Sequence, residues 1–345
     1  MQPLLAQELT TIATPGLWAV TIGAVLALLV LDFVITRRPH EVSMKEAAGW
    51  SAFYVALPLA FGIWIWSRYG TERGVEYLTG YVVEKSLSVD NLFVFMLLLG
   101  AFAVPAALRQ RVLLYGIIGA LVLRAVFIAL GAAALEAFSF TFLIFGLVLV
   151  ATAVKVYRDA GHGHDRPVDV SRMRSVRLLR RFVPVTDDYE GTRMLTRVGG
   201  RRAVTPLALA VVAVLATDIV FAVDSVPAVY GITGDPYLVF ATNAFALLGL
   251  RALYFLLAGA LERLVHLGYG LAVILGVIGV KLVLHWAHGV WPAVPTIPTL
   301  AGLVVIVAVL ATVTVTSLRA TRGGGTTRPE EEDPAPALAR GESQR

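Results

Sequence analysis

The sequence predicts an all-α polytopic membrane protein of about nine transmembrane helices, six of them forming two inverted three-helix repeats. Three observations carry this. Of the 345 residues, 57% are hydrophobic and only 15% are charged, whereas soluble chains hold roughly 45–50% apolar and about 25% charged residues. Mean hydropathy is +0.76, and apolar runs of about twenty residues recur, each long enough to span a ~30 Å hydrocarbon core. Polar residues also recur in register between two halves of the chain.

The runs fall at residues 17–36, 49–67, 74–101, 110–136, 139–157, 203–231, 237–262, 269–290 and 298–318. The first lacks the basic flank of a cleaved signal peptide and is expected to remain as a helix. Nine spans place Arg37, Arg38 and Lys45, then Arg109 and Arg111, then a basic loop at 159–202, all on one side. By the positive-inside rule that side is cytoplasmic, with the N-terminus outside and the C-terminus inside. Eleven of the 25 arginines lie between residues 158 and 202, so the net charge of +5 reflects topology, and no nucleic-acid partner is expected. Within that loop, Met173, Val176, Leu179 and Phe182 alternate with arginines. The pattern over 172–182 suits a basic amphipathic helix on anionic lipid, and equally a solvated linker or a docking point for partner proteins. Residues 319–345 have no apolar period and are expected to be a disordered tail. The chain therefore divides into a two-helix segment (1–73), a first repeat (74–158), the loop (159–202), a second repeat (203–290), a last helix (291–318) and the tail.

The repeats rest on three polar anchors. Glu84 and Asp90 match Asp218 and Asp224 at an offset of 134, Arg124 matches Arg251 at 127, and Lys155 matches Lys281 at 126. A duplicated unit with unequal loops gives such a slow drift. Three helices are an odd number, so the second copy enters from the opposite side, and transporters built this way hold substrate near the midplane.

The acids carry the chemistry. An ionised carboxylate at the bilayer centre costs roughly 2.5–3.5 kcal/mol even on insertion scales, and four matched ones imply a bound cation. On an unbroken helix Glu84, Ser88 and Asn91 share a face, as do Asp218 and Ser225, with Asp90 and Asp224 on the adjoining edges. Ser86, Ser88 and Pro227 are expected to loosen the backbone there and free carbonyl oxygens. Oxygen donors suit Mg, Ca and Mn. With no cysteine in the chain, thiolate sites, disulfides and thiol catalysis are excluded. Asn243 and Thr242 are possible further oxygens. Arg124 and Arg251 lie mid-span, as counter-charges, gates or structural pairs; a static network of the acids with Arg124, Arg251 and Lys281 is the competing reading. Asp32, beside Arg37 and Arg38, reads as an interfacial anchor. His285 and His288 read as interface-seeking residues, and His162, His164 and Asp165 as linker. No nucleophile–base set, P-loop or dinucleotide fingerprint is present, so an enzyme is not expected.

The segments GYVVEKSLSVDNLFVF, TPLALAVVAVLATDIVFAVDSVPAV and ATNAFALLGLRALYFLLA resemble the most characteristic parts of the TerC family of bacterial membrane proteins, within the LysE-like transporter superfamily. RRFVPVTDDYEGTRM is similar to that family's central loop, and the resemblance runs from about residue 17 to 290. It implies an inner-membrane transporter linked to manganese export and, by the family's name, to tellurium resistance. Carried over by motif, Glu84, Asp90, Asn91, Asp218, Asp224 and Ser225 are the expected metal positions, with Asn243, Ser88, Arg124 and Arg251 as possible additions. The divalent cation is then cargo rather than a resident cofactor. One departure is Ala216, where many members carry another acid. The resulting expectation is a manganese exporter working by alternating access; a non-transporting scaffold of a stress-resistance complex and a calcium or proton-coupled exchanger are the alternatives.

Overall fold

The computed structural model describes residues 11–35, 43–161, 185–186, 189, 191–198, 201–257 and 266–323. Its helices are α1 (Pro15–Ile35), α2 (Met44–Tyr69), α3 (Thr71–Ala101), α4 (Ala106–Ala137), α5 (Thr141–Gly161), α6 (Pro206–Tyr230), α7 (Pro236–Leu248), α8 (Leu250–Leu257), α9 (Leu267–Val290) and α10 (Thr299–Gly323). Counting α7 and α8 as one interrupted helix, eight are long and apolar enough to cross a membrane. The other long helix, α3, has 31 residues and carries Glu84, Lys85 and Asp90 in its middle. The all-α membrane architecture is as predicted. One element was not: a small antiparallel hairpin, β1 (Leu195–Val198) with β2 (Arg201–Val204). The amphipathic stretch at 172–182 and the tail beyond Gly323 lie outside the described residues.

Helix starts follow local chemistry. Ser43 accepts a hydrogen bond from the Glu46 N–H, in the S-x-x-E pattern of a capping box. Thr205 caps α6 and Asp235 caps α7, each followed by proline in the first turn, where its missing N–H costs nothing. Asp235 also accepts from Thr11 Oγ1 and the Ile12 N–H, both at 2.8 Å, and so ties the chain before α1 to the α6–α7 connection. Between α2 and α3 a single residue, Gly70, turns the chain at φ +89°, a conformation glycine adopts without penalty.

Large apolar side chains cover the outside: Val20, Leu26 and Val30 on α1, Ile63 and Trp64 on α2, Leu300 and Val304 on α10. Such a surface belongs against lipid. Inside lie α3, α6 and α7. Every residue of α7 from Tyr237 to Leu248 is buried. α4 packs on α6, α3 on α7, and α5 on α9. The α5–α9 crossing is the tightest: a Cβ on Gly146 would lie 2.8 Å from the Gly279 carbonyl oxygen, and one on Gly279 would lie 2.9 Å from that of Gly146. Paired glycines let backbones touch where lipid supplies no hydrophobic drive for association.

α3 and α6 stay helical through Ser86, Ser88 and Pro227, while Pro227, having no N–H, leaves the Val223 carbonyl without its helical donor. Ser86 donates back to the Val82 carbonyl at 2.7 Å, a bond that a continuous helix accommodates. The break falls instead at Gly249, in the seventh span. There the Lys85 ammonium donates to the Ala246 carbonyl at 3.3 Å, satisfying part of the exposed helix end.

Candidate functional site

Four helices place the centre. α3 contributes Glu84, α6 contributes Asp218 and α7 contributes Asn243, and Arg124 reaches among them from α4. Its guanidinium Nη1 bonds Glu84 Oε1 and Asn243 Oδ1 (2.9 Å), and Nη2 reaches Asp218 Oδ1 at 3.3 Å. Asn243 is held by its own Nδ2, which donates to the Val239 carbonyl at 3.0 Å. All four side chains are at most 1% exposed. One guanidinium therefore faces two carboxyl groups.

Several polar atoms here go without a partner. Glu84 Oε2, Asp218 Oδ2, Ser88 Oγ, Ser225 Oγ and Arg124 Nε are buried and have no hydrogen-bond partner among the described residues. Ser88 follows Glu84 by one turn and Ser225 follows Asp218 by two, so both hydroxyls stand on the faces that carry the acids. Buried polar atoms in native proteins are almost always satisfied by protein, water or ion. The donor set is all oxygen and fits a hard cation. Among the described residues, no three His, Asp or Glu side chains converge at coordinating distance.

Asp224 and Arg251 make their bonds outside this centre. Asp224 is half-buried and accepts from Thr152 Oγ1 on α5 at 2.8 Å. Six residues beyond Asp218, it stands about 120° around the helix, which turns it toward α5. Asp90 has the same phase relative to Glu84 and is half-buried on α3, while Asn91, 5% exposed, continues the Glu84–Ser88 face. Arg251, a possible addition to the acid site, belongs to another cluster. It clamps Asp32 through Nε at 3.0 Å and Nη2 at 2.5 Å, and Nη1 reaches Gln110 Oε1 at 3.3 Å. Tyr54 donates to the same carboxylate at 3.3 Å. Asp32, 2% exposed, is thus a buried ion-pair partner and no interfacial anchor. Sequence reasoning missed it because its partner comes from a helix more than 200 residues away. The only signal was an acid preceded by an unbroken apolar run, LALLVL.

Near the opposite end of α3 lies a cavity of about 850 Å³, lined among others by Glu72, Arg73, Glu76, Lys281, His285 and His288. Glu76 Oε2 accepts from both Arg73 Nη1 and Thr233 Oγ1, each at 2.9 Å, and Lys281 donates to Thr299 Oγ1 at 3.1 Å. The His285 ring meets the edge of Phe142 at 4.8 Å, and His288 Nδ1 lies 2.6 Å from the Val294 carbonyl. This is a polar vestibule at the end of the bundle bearing Gly70 and Gly234.

Comparison with known proteins agrees with this picture. The profile of the integral membrane protein TerC family matches residues 69–324. An uncharacterized membrane protein of Myxococcus xanthus is 44% identical over 79% of this chain and 85% of its own length. One of Mycobacterium tuberculosis is 46% identical over 79% of this chain and 68% of its own. A candidate membrane-bound redox modulator of Escherichia coli, Alx, is 40% identical over 80% and 88% respectively. No solved structure matches the chain. The matched region contains the whole Glu84–Arg124–Asp218–Asn243 centre, and the chain belongs to the TerC family of integral membrane proteins.

Proposed function

We propose that this protein exports divalent manganese across the bacterial plasma membrane, with the vestibule end outside. The observation that carries this reading is the centre itself. Two acids from separate helices share one guanidinium, and each keeps an oxygen with no donor among the described residues. A divalent cation and the Arg124 guanidinium compete for the same carboxylates. When the cation enters among Glu84, Asp218 and Asn243, Arg124 is released; when Arg124 returns, it neutralises the acids and favours cation exit. Family resemblance supplies manganese; the oxygen donors supply only the hard-cation class.

The packing supports alternating access by two inverted units. Exchanging the units maps α3 onto α6, α4 onto α7–α8 and α5 onto α9. Under that exchange the α5–α9, α3–α6 and α4–α7 pairs map onto themselves, and α4–α6 maps onto α3–α7; all these pairs are in contact. The relative from E. coli is named for redox modulation. With no cysteine of its own, this chain would exert such an influence through the metal it moves.

The test is flux in proteoliposomes, comparing Mn, Ca, Mg and Zn. Wild type is expected to move Mn, and Glu84→Gln and Asp218→Asn to fall to the level of protein-free vesicles while eluting as folded protein. Mn flux at the wild-type rate in both variants would refute the assignment. Calcium flux exceeding manganese flux would favour an exchanger, and no flux of any ion would favour a scaffold.

A further inference from the structure

The orphaned oxygens of the centre belong to a longer series on α3. Tyr77 Oη, Tyr81 Oη, Glu84 Oε2 and Ser88 Oγ are all buried without a hydrogen-bond partner among the described residues. Their positions run i, i+4, i+7, i+11, which is one face of an α-helix over about 16 Å. The four residues are between 0% and 3% exposed. Four consecutive positions on one stripe share the same deficit, while the hydroxyls of Thr79 and Ser86, off that stripe, bond back to their own helix.

We propose that this face of α3 binds a file of water molecules leading from the vestibule end of the bundle to the Glu84–Asp218 centre. A hydroxyl both donates and accepts, so it can hold a water on either side. Buried waters satisfy such groups in native proteins. The Tyr77 and Tyr81 rings lie parallel, 3° apart with centroids 6.5 Å distant. Tyr237 Oη on α7 pairs with Thr21 Oγ1 on α1 at 2.7 Å, and the Trp18 ring packs on Tyr237 at 5.1 Å. The residue before Tyr77, Glu76, lines the vestibule. On α6, Asp218 Oδ2 belongs to the centre, and Ser225 Oγ lies two turns nearer the vestibule, where Tyr230 at the end of that helix lines the cavity. In a transporter, such a file hydrates the cation as it leaves the carboxylates. That role rests on the proposed function; the water file does not.

The chain supplies its own controls. Tyr54 and Tyr230 are each 2% exposed, and their hydroxyls are bonded to Asp32 and to the Ile128 carbonyl. Hydroxyl radicals generated by X-ray radiolysis modify buried tyrosines only where water is bound beside them. With metal-free protein in membranes, Tyr77 and Tyr81 are expected to be oxidised many-fold faster than Tyr54 and Tyr230. Equal, slow rates at all four would overturn the proposal. Tyr77→Phe and Tyr81→Phe give a second reading, since deleting a dry, orphaned hydroxyl raises thermal stability and deleting a water-bonded one lowers it. A lower midpoint in both variants supports the file, and a higher one overturns it. If labelling succeeds and manganese flux is absent, the file stands and the transport reading falls. If both hold, the Phe variants are also expected to slow manganese flux several-fold.

Discussion

Arg124 is the residue on which the centre depends. In sequence it is one of two mid-span arginines; in space it is the only cation bonded to Glu84 and Asp218 among the described residues. Burying one charge against two acids is stable only while the third partner, a cation or solvent, is within reach. Asp224 is different. Its bond to Thr152 places it beside α5, so Asp224→Asn is expected to reduce manganese flux in proteoliposomes without abolishing it, unlike Asp218→Asn. The second buried pair yields a sharper prediction. Asp32→Asn leaves the Arg251 guanidinium uncompensated in the protein interior, and breaking such a pair costs about 3–5 kcal/mol. The single variant is expected to lose that much stability in thermal unfolding. Asp32→Asn with Arg251→Gln is expected to recover most of it. Equal loss in both variants would show that packing rather than charge sets the cost.

At the level of elements, two glycine sites decide how the helices meet. Gly146 and Gly279 bring the α5 and α9 backbones into contact. Gly146→Leu forces a side chain into that contact, where overpacking costs typically 1–3 kcal/mol and the small-residue interface is lost as well. The variant is expected to melt earlier and to lose flux, whereas Gly23→Leu on α1, whose Cβ would meet nothing within 4 Å, is expected to leave both unchanged. Gly249 marks the other site. A Cβ there would lie 2.8 Å from Tyr54 Cβ and 3.0 Å from Lys85 Nζ, so the break, the Lys85 contact and the approach of α2 require one another. Broken helices persist at membrane depth where protein buries the exposed backbone groups. The α7–α8 helix is the most buried of the eight apolar spans.

For the whole molecule, orientation is the open claim that a simple measurement checks. Because the chain has no cysteine, a single introduced thiol reports its own side. Ala293→Cys, exposed at the vestibule end, and Ala106→Cys, exposed at the other, are expected to differ. An impermeant maleimide added to intact cells labels the first, and labels the second only after the membrane is opened. The reverse pattern would invert the proposed direction of transport.

Much of this was legible before any fold was known. Spans follow from run length because a bilayer has a fixed thickness, and the paired acids stood out because charge in lipid is costly. Glu84, Asp218 and Asn243 stand out in the sequence for that reason, and the fold brings all three to the Arg124 guanidinium. What sequence could not supply is who faces whom. The phase of Asp224 points it to α5, Arg251 turns to Asp32, and the Tyr77–Tyr81 stripe reads as ordinary apolar core until its hydroxyls are seen to lack partners among the described residues. Hydropathy is a property of each segment and is written locally. Pairing depends on rotation about helix axes and on contacts between residues from 40 to 219 positions apart, and only the packed bundle decides those.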